Sequence, residues 1–313
     1  MPPATINILC ATDKNFVPYC GIMLTSLFEN NKDEDIVVYL LVDETVKEQD
    51  KNQYRLLAEQ YKQSIQIIQV DASTFEKYPV YNKQWTNSIY YRLLAAELLP
   101  DFVDKIIYFD ADIIVTRSIR EMWEIDIKKY ALGVVQDIWA PNQQVYDRLG
   151  LENDKNYFNS GSMLLNLKYW REHDLSKKYM MYIKNNFEKL WFNDQDTLNG
   201  VLFDQKLMLP VNYNFQVLFL KKSLFDEMTD EQKKDILATT TPLIMHYSAS
   251  TKPWMIMYYK MPYLELWRRY RDISMWKNTP DLMPKTKVLN WLIKRYFLWP
   301  LNIYFKHEYI RIQ

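Results

Sequence analysis

Residues 106–115 read IIYFDADIIV. An apolar, β-branched and aromatic run ends in two aspartates, and a second apolar run follows. A short apolar run bounded by polar residues is the pattern of a buried strand, so Asp110 and Asp112 stand at a strand end. Spaced i, i+2, their carboxylates project from the same face. The same unit recurs toward the N-terminus. Ile6–Thr12 and Ile36–Val42 are apolar enough for buried strands, residues 65–70 alternate as a strand, and Lys105–Phe109 carries the aspartates. Residues 17–30, 46–61 and 88–99 read as helices between them, the last stopping at Pro100. Strands alternating with helices imply βαβ units, an α/β fold and a mostly parallel sheet. In such sheets ligands gather at the carboxyl ends of the strands. Asp13, Asp43, Asp71, Asp110 and Asp137 each follow an apolar run, which directs several carboxylates to one sheet edge.

The second half is less regular. Residues 132–135 and 162–167 are short apolar runs, with a polar and aromatic loop over 138–157, holding one helical turn, between them. Residues 168–187 and 194–202 read as helices and 242–247 as a strand. From about residue 250 the composition shifts to Trp, Tyr, Met and Pro mixed with Lys and Arg. The expected organisation is one domain over 1–255 and a C-terminal helical extension over 256–313.

The 313 residues hold 39 basic and 39 acidic side chains, so no broadly cationic surface exists and nucleic acid is not a default partner. Aromatics make up 15%, with 24 Tyr and 10 Trp, side chains that suit sugar faces and membrane interfaces. Only five glycines occur, and the phosphate-cradling patterns GxGxxG and GxxxxGKS/T are absent. Two cysteines, Cys10 and Cys20, cannot staple a chain of this size, which suits a reducing compartment. The N-terminal segment lacks the basic and then apolar pattern of a signal peptide, and no run of about 18 apolar residues occurs. A cytoplasmic location is expected.

Asp110 and Asp112 can share one hard divalent cation that bridges phosphate oxygens. The alternative is a pair of solvated strand-end aspartates, which the apolar runs on both sides disfavour. His246, in LIMHYSASTKPW, also closes an apolar run. A lone histidine is more often structural than a ligand. Lys252, six residues on, adds a cation that could neutralise a diphosphate leaving group in place of a glycine loop.

These residues lie within six ordered motifs that resemble those of the retaining glycosyltransferases of family 8, the group of bacterial lipopolysaccharide galactosyl- and glucosyltransferases and glycogenin. The resemblance covers residues 4–255. ATDKNF (11–16) resembles the opening nucleotide-binding segment, spanning Ala11, Thr12, Asp13, Asn15 and Phe16, where Asp13 would meet uracil. SIYYRLLAAELLP (88–100) carries Arg92, a donor-sugar contact by resemblance. YFDAD (108–112) resembles the DXD motif, with Asp110 and Asp112 as manganese ligands around Ala111. FNSGSMLLNLKYWR (158–171) places Asn159 and Ser160 in the sugar pocket. NDQDTLN (193–199) resembles the segment beside the anomeric carbon, with Asp194 and Gln195. HYSASTKPW (246–254) resembles the last motif, with His246 as third metal ligand and Lys252 on the diphosphate. Ala249 replaces the usual glycine there, and Ser160 the commoner alanine.

The resemblance implies a GT-A fold, a UDP-glucose or UDP-galactose donor, and Mn²⁺ or Mg²⁺ as cofactor. Retention of configuration allows front-face attack or double displacement. Gln195 and Asp194 are the positional candidates for a nucleophile, and glutamine is a poor one, so front-face attack is favoured. Asp137 would orient the acceptor hydroxyl; a capping or surface role is its alternative. For Arg92 the alternative is a surface helix arginine, and for Asp194 a helix N-cap.

The tail, residues 285–313, holds six basic residues and one acidic one among many aromatics, leaving 33 basic and 38 acidic over 1–284. Cationic, aromatic, amphipathic segments lie in anionic membrane interfaces. The tail is therefore expected to hold the enzyme on the inner face of the cytoplasmic membrane, near a glycan or glycolipid acceptor; the alternative is a helix packed back on the domain. Three rival readings remain: a haloacid-dehalogenase-like phosphatase, which also uses hhhhDxD but on its first strand; a non-catalytic sugar-binding protein; and a glycogenin-like self-glucosylating enzyme.

Overall fold

The computed structural model describes residues 4–71, 73, 86–152, 156–255, 261–282 and 309–310. In chain order the elements are β1 (Ile6–Thr12), α1 (Val17–Glu29), β2 (Ile36–Val42), α2 (Glu48–Tyr61), β3 (Ser64–Gln69), α3 (Ala95–Leu98), β4 (Lys105–Phe109), β5 (Ile113–Val115) and α4 (Arg120–Trp123). They continue with β6 (Leu132–Gln136), α5 (Gln143–Leu149), β7 (Phe158–Asn166), α6 (Leu167–Glu172), α7 (Leu175–Asn186), α8 (Asn193–Leu202) and β8 (Lys206–Met208). Last come β9 (Phe215–Gln216), α9 (Lys222–Phe225), α10 (Asp230–Ala238), β10 (Ile244–His246) and α11 (Leu264–Ile273).

Seven strands form one sheet in the order β3-β2-β1-β4-β7-β6-β8. The runs INILCAT and IVVYLLV are largely apolar because helices cover both faces of the inner parallel strands, whereas edge strand β3 alternates in exposure. β7 runs antiparallel to β4 and β6, and the other pairings are parallel. The α/β fold with a mostly parallel sheet is thus as expected from sequence. β1, β2, β3, β4 and β6 end on one edge, so Asp13, Asp43, Asp110 and Asp137 follow strand ends there; Asp71, beyond β3, is solvent-exposed.

Two local features of these strands shape that edge. The β6–β7 register jumps between Val134↔Met163 and Val135↔Asn159, leaving Ser160, Gly161 and Ser162 opposite no β6 residue. Such a bulge bends the strand and re-aims its side chains. A second, three-stranded sheet (β5-β10-β9) pairs His246 with Ile113, the residue after Asp112. A histidine 134 positions downstream of Asp112 is thereby set beside it.

Three helical expectations need correction. Residues 88–99 are a 3₁₀ stretch, Asn87–Leu94, running into the short α3. The single helix expected over 168–187 is broken into α6 and α7 at Asp174, which adopts φ 49. Aspartate tolerates this left-handed conformation, so the break leaves little trace in the sequence. The turn expected within the 138–157 loop is the longer α5, capped by the Asn142 side chain at one end and by Gly150 at φ 69 at the other.

Residues 261–282 pack against α1. Tyr270 receives a hydrogen bond from Asn30 Nδ2 at 2.7 Å. The Trp276 indole lies flat on Gly21, where a Cβ would stand 2.3 Å from the ring, and 5.3 Å from the Tyr54 ring centroid. The basic aromatic tail expected to meet a membrane lies outside the described residues except for Tyr309 and Ile310. Tyr309 bridges to Lys221, and the Ile310 N–H donates to Leu220 O at 2.8 Å. No helix among the described residues is long and apolar enough to cross a membrane. Emptying the site of Trp276 leaves a cavity that the rigid α1–α2 face cannot close. Trp276→Ala should therefore cost about 3–5 kcal/mol in chemical denaturation; a loss under about 1 kcal/mol would mean that this packing is not part of the core.

Candidate active site

The strand edge opens into a cleft of about 230 Å³, bounded by the ends of β1, β4, β6, β7 and β10 and the start of α8. Asp110 and Asp112 sit in the turn between β4 and β5, and His246 is the last residue of β10. One ligand atom from each lies within 4.8 Å of the other two. Asp112 and His246 are buried. His246 Nε2 faces Asp112 Oδ1 at 3.4 Å, longer than a hydrogen bond. Two carboxylates and an imidazole form a donor set suited to Mn²⁺ or a similar divalent ion. The convergence of these atoms fits such an ion.

Each carboxylate also has a basic partner. Arg92 Nη2 contacts Asp110 Oδ1 at 2.6 Å and Arg92 Nε lies 3.3 Å from Asp194 Oδ2, so one guanidinium serves two carboxylates. Burial alone would lower the Arg92 pKa, but Asp110 and Asp194 overcome it and hold the guanidinium firmly charged. The Tyr108 ring lies 4.2 Å beneath it and the Tyr108 hydroxyl donates to Asp110 Oδ1 at 2.7 Å. Lys252 Nζ forms an ion pair with Asp112 and donates to Tyr247 O at 3.0 Å. Burial pushes the Asp112 carboxyl up, yet Lys252, together with His246 in its protonated form, outweighs it and holds it well below the usual carboxylate range.

On the far wall, Gln195 is fully engaged. Its Oε1 accepts from Ser160 N and Asn159 Nδ2, both at 3.1 Å. Its Nε2 donates to Asp137 Oδ2 at 3.2 Å and Tyr157 Oη at 3.1 Å. Asp137 also receives Asn159 Nδ2 at 2.8 Å and the Trp139 N–H at 2.8 Å. Burial raises the Asp137 pKa despite these donors. Behind Gln195, Asp196 takes the Tyr157 hydroxyl at 2.6 Å and both Arg148 amino groups at 2.8 and 2.9 Å. This buried group fixes the first turn of α8.

Most residues singled out from sequence line the cleft: Ala11, Thr12, Phe16, Arg92, Asp110, Ala111, Asp112, Asp137, Asn159, Ser160, Asp194, Gln195, His246 and Lys252. Three do not. Asp13 is buried in a turn, where Asn15 N and the Thr86 hydroxyl donate to its carboxylate. Asn15 is exposed, and Ala249 is buried outside the lining. Neither Arg92 nor Asp194 takes its bland alternative: Arg92 is buried, and Asp194 is inside α8 with Phe192 at the cap. Sequence reasoning missed Gly161 as a site residue. A Cβ there would stand 2.2 Å from His246 Cε1, so only glycine lets the imidazole lie on β7. With five glycines in 313 residues, one inside an apolar strand was the available signal. It also missed Asn214, a buried amide in the stretch 211–220.

Residues 7–257 match the family model described as glycosyl transferase family 8. The chain belongs to this family. It is therefore a glycosyltransferase, and its sheet is of the GT-A type. It is 31% identical over 284 residues to a lipopolysaccharide 1,2-glucosyltransferase of Escherichia coli, covering 88% of this chain and 80% of that one. It is 26% identical over 287 residues to a lipopolysaccharide 1,3-galactosyltransferase of Salmonella typhimurium, covering 90% and 82%. Its fold is similar to that of the galactosyltransferase LgtC, solved with donor and acceptor sugar analogs. There the TM-score is 0.76 at 24% identity, over 90% of this chain and 99% of LgtC.

Asp194 makes the electrostatics testable. Burial drives its carboxyl up to about 6, with Arg92 pulling against the rise and Asp110 adding to it. A folded pKa above the unfolded value of about 3.9 stabilises the fold while the carboxyl is protonated. That contribution is complete below about pH 4 and is lost as pH rises through 6, a change on the order of 2–3 kcal/mol. Asp194→Asn does not suffer this loss. Its melting temperature relative to wild type should climb between pH 4 and 7, and a difference independent of pH would contradict the assignment.

Proposed function

We propose that the chain is a retaining hexosyltransferase that moves glucose or galactose from a UDP-hexose to a saccharide acceptor, in a divalent-metal-dependent reaction. The observation that carries this reading is the meeting of Asp110, Asp112 and His246 beside Lys252 at the strand-edge cleft. The names of the lipopolysaccharide glucosyl- and galactosyltransferase relatives support a glucose or galactose donor and a lipid-linked glycan acceptor.

Breaking the bond between sugar and phosphate leaves negative charge on the diphosphate and positive character on the sugar. Asp110, Asp112 and His246 would hold Mn²⁺, which supplies positive charge to the leaving diphosphate. Lys252, paired with Asp112, would add a second positive charge for that diphosphate. The sugar would lie toward Arg92, Asn159 and Ser160. Front-face attack is favoured, because both acceptor positions of Gln195 Oε1 are taken by Ser160 N and Asn159 Nδ2. No lone pair is left to attack an anomeric carbon. Asp194, the other candidate, is held by Arg92 and by the Ser160 hydroxyl at 3.1 Å. Asp137 faces the cleft and would orient the acceptor hydroxyl, while the leaving phosphate accepts its proton. Trp139 and Leu218, also on the lining, would meet the acceptor.

The nucleotide-sugar domain proper would end near residue 255, with residues 261–282 packed into the same core, and the basic aromatic tail would place the enzyme on an anionic cytoplasmic membrane surface near its acceptor. Its charge pattern supports this; Tyr309 and Ile310, by contrast, pack back on the domain at Leu220 and Lys221.

Two measurements test this reading. A screen of UDP-glucose, UDP-galactose and their N-acetyl forms with Mn²⁺ should give turnover with one of the two plain hexoses. Asp112→Asn should then lower it at least about 100-fold with the fold intact, and retained activity would refute the metal assignment. A chain ending before Pro284 should keep UDP-sugar hydrolysis but bind anionic vesicles less; unchanged partitioning would sink the membrane role.

A further inference from the structure

A chain of amides ties the β7 bulge to the proposed metal ligand His246, and it can be followed without ambiguity. The Gly161 N–H is a donor by nature. It points at Asn159 Oδ1 from 2.9 Å, which fixes the orientation of that amide. Asn159 Nδ2 is then the atom facing Asp137 Oδ2, as a carboxylate requires. Asn159 Oδ1 also lies 2.8 Å from Asn214, so the atom of Asn214 that meets it is Nδ2. Asn214 Oδ1 is thereby turned toward His246 Nδ1, 2.8 Å away. An amide oxygen only accepts, so Nδ1 carries the hydrogen. In the neutral ring Nε2 is left with its lone pair, 3.4 Å from Asp112 Oδ1.

A lone pair facing a carboxylate oxygen is unfavourable unless a cation lies between them. Without such a cation, the opposite tautomer would donate Nε2–H to Asp112 and be the better arrangement. Asn214 prevents that choice. It is fully buried at the end of the 3₁₀ turn Val211–Asn214, and the imidazole is pressed on Gly161. We propose that Asn214 is a positioning residue that holds His246 in its Nδ1–H tautomer, presenting the Nε2 lone pair to the metal. Which ring nitrogen is protonated follows from the hydrogen bond the other makes, and such outer partners tune ligand affinity. This inference rests on the metal reading of Asp110, Asp112 and His246, and deepens it.

The test uses the full chain with ¹⁵N-labelled histidine, at pH 8 and without metal. Long-range ¹H–¹⁵N spectra report the tautomer of each of the three histidines, and His246→Gln assigns the relevant signal. Wild type should show Nδ1–H at His246. Asn214→Ala should lose that signature and weaken Mn²⁺ binding, followed by electron paramagnetic resonance, about 10–100-fold. Asn214→Asp keeps an oxygen for Nδ1–H but loses the donor to Asn159 Oδ1, so it should restore the Nδ1–H tautomer relative to Asn214→Ala, whatever it does to the affinity. A wild-type Nε2–H signature overturns the proposal, and so does Asn214→Ala binding Mn²⁺ as wild type does. If Asn214→Ala does not fold, the wild-type and Asn214→Asp spectra decide, and an Nε2–H signature at His246 in Asn214→Asp overturns it. Wild type that binds no Mn²⁺ overturns the metal reading instead, and the spectra still judge Asn214 separately.

Discussion

Two carboxylates must be kept charged in a largely buried turn at the end of β4, and much of the molecule is arranged to make that possible. An uncompensated buried ion costs several kcal/mol, so each needs a cation and further hydrogen bonds. Asp110 has Arg92 and the Tyr108 hydroxyl; Asp112 has Lys252. The partners come from three separate pieces of the chain: the 3₁₀ stretch before α3, β4 itself, and the loop after β10. Each piece is fixed by its own packing, so the charges are matched only when the whole edge is assembled. A cation entering between Asp110, Asp112 and His246 would join a set of charges already close to balance.

The backbone makes room for this. The bulge in β7 turns Ser160 and Gly161 into the cleft, and the missing side chain of Gly161 lets the His246 ring approach the strand. Bulges are common beside active sites because they re-aim side chains without ending the strand. The small second sheet supplies the other half of the arrangement, since pairing of His246 with Ile113 leaves no freedom in where the imidazole starts. The wall opposite is rigid for another reason: Gln195, Asp137 and Asn159 satisfy one another, and Arg148 with Asp196 closes the network from behind. A polar network satisfied in this way specifies one geometry.

Where the sequence was legible, local physics decided the outcome. β1, β2 and β4 were readable to the residue because burial on both faces demands an unbroken apolar run. The helix expected over 168–187 failed at Asp174, since an aspartate fits a helix or a left-handed break equally well on paper. Asp13 and Asn15 fell short as lining residues for a similar reason. The ATDKNF segment turns on its own Asp13 carboxylate, a hydrogen-bonding choice that its composition does not reveal. Asn214 was not singled out, because it is one of three amides in 211–216 and nothing in that segment distinguishes it from Asn212 or Gln216.

By itself the sequence determined the alternation of strands and helices, the edge at which the carboxylates gather, and the pairing of Asp110 with Asp112. All of these depend on spacing along one segment, where side-chain direction repeats with the backbone. Only the tertiary structure decided which cation meets which carboxylate, and which nitrogen of His246 is left free. Lys252 is 140 residues from the Asp112 it pairs with. That meeting depends on strand order, on a bulge, and on the absence of one Cβ at Gly161, so the contact exists only once distant segments are packed together.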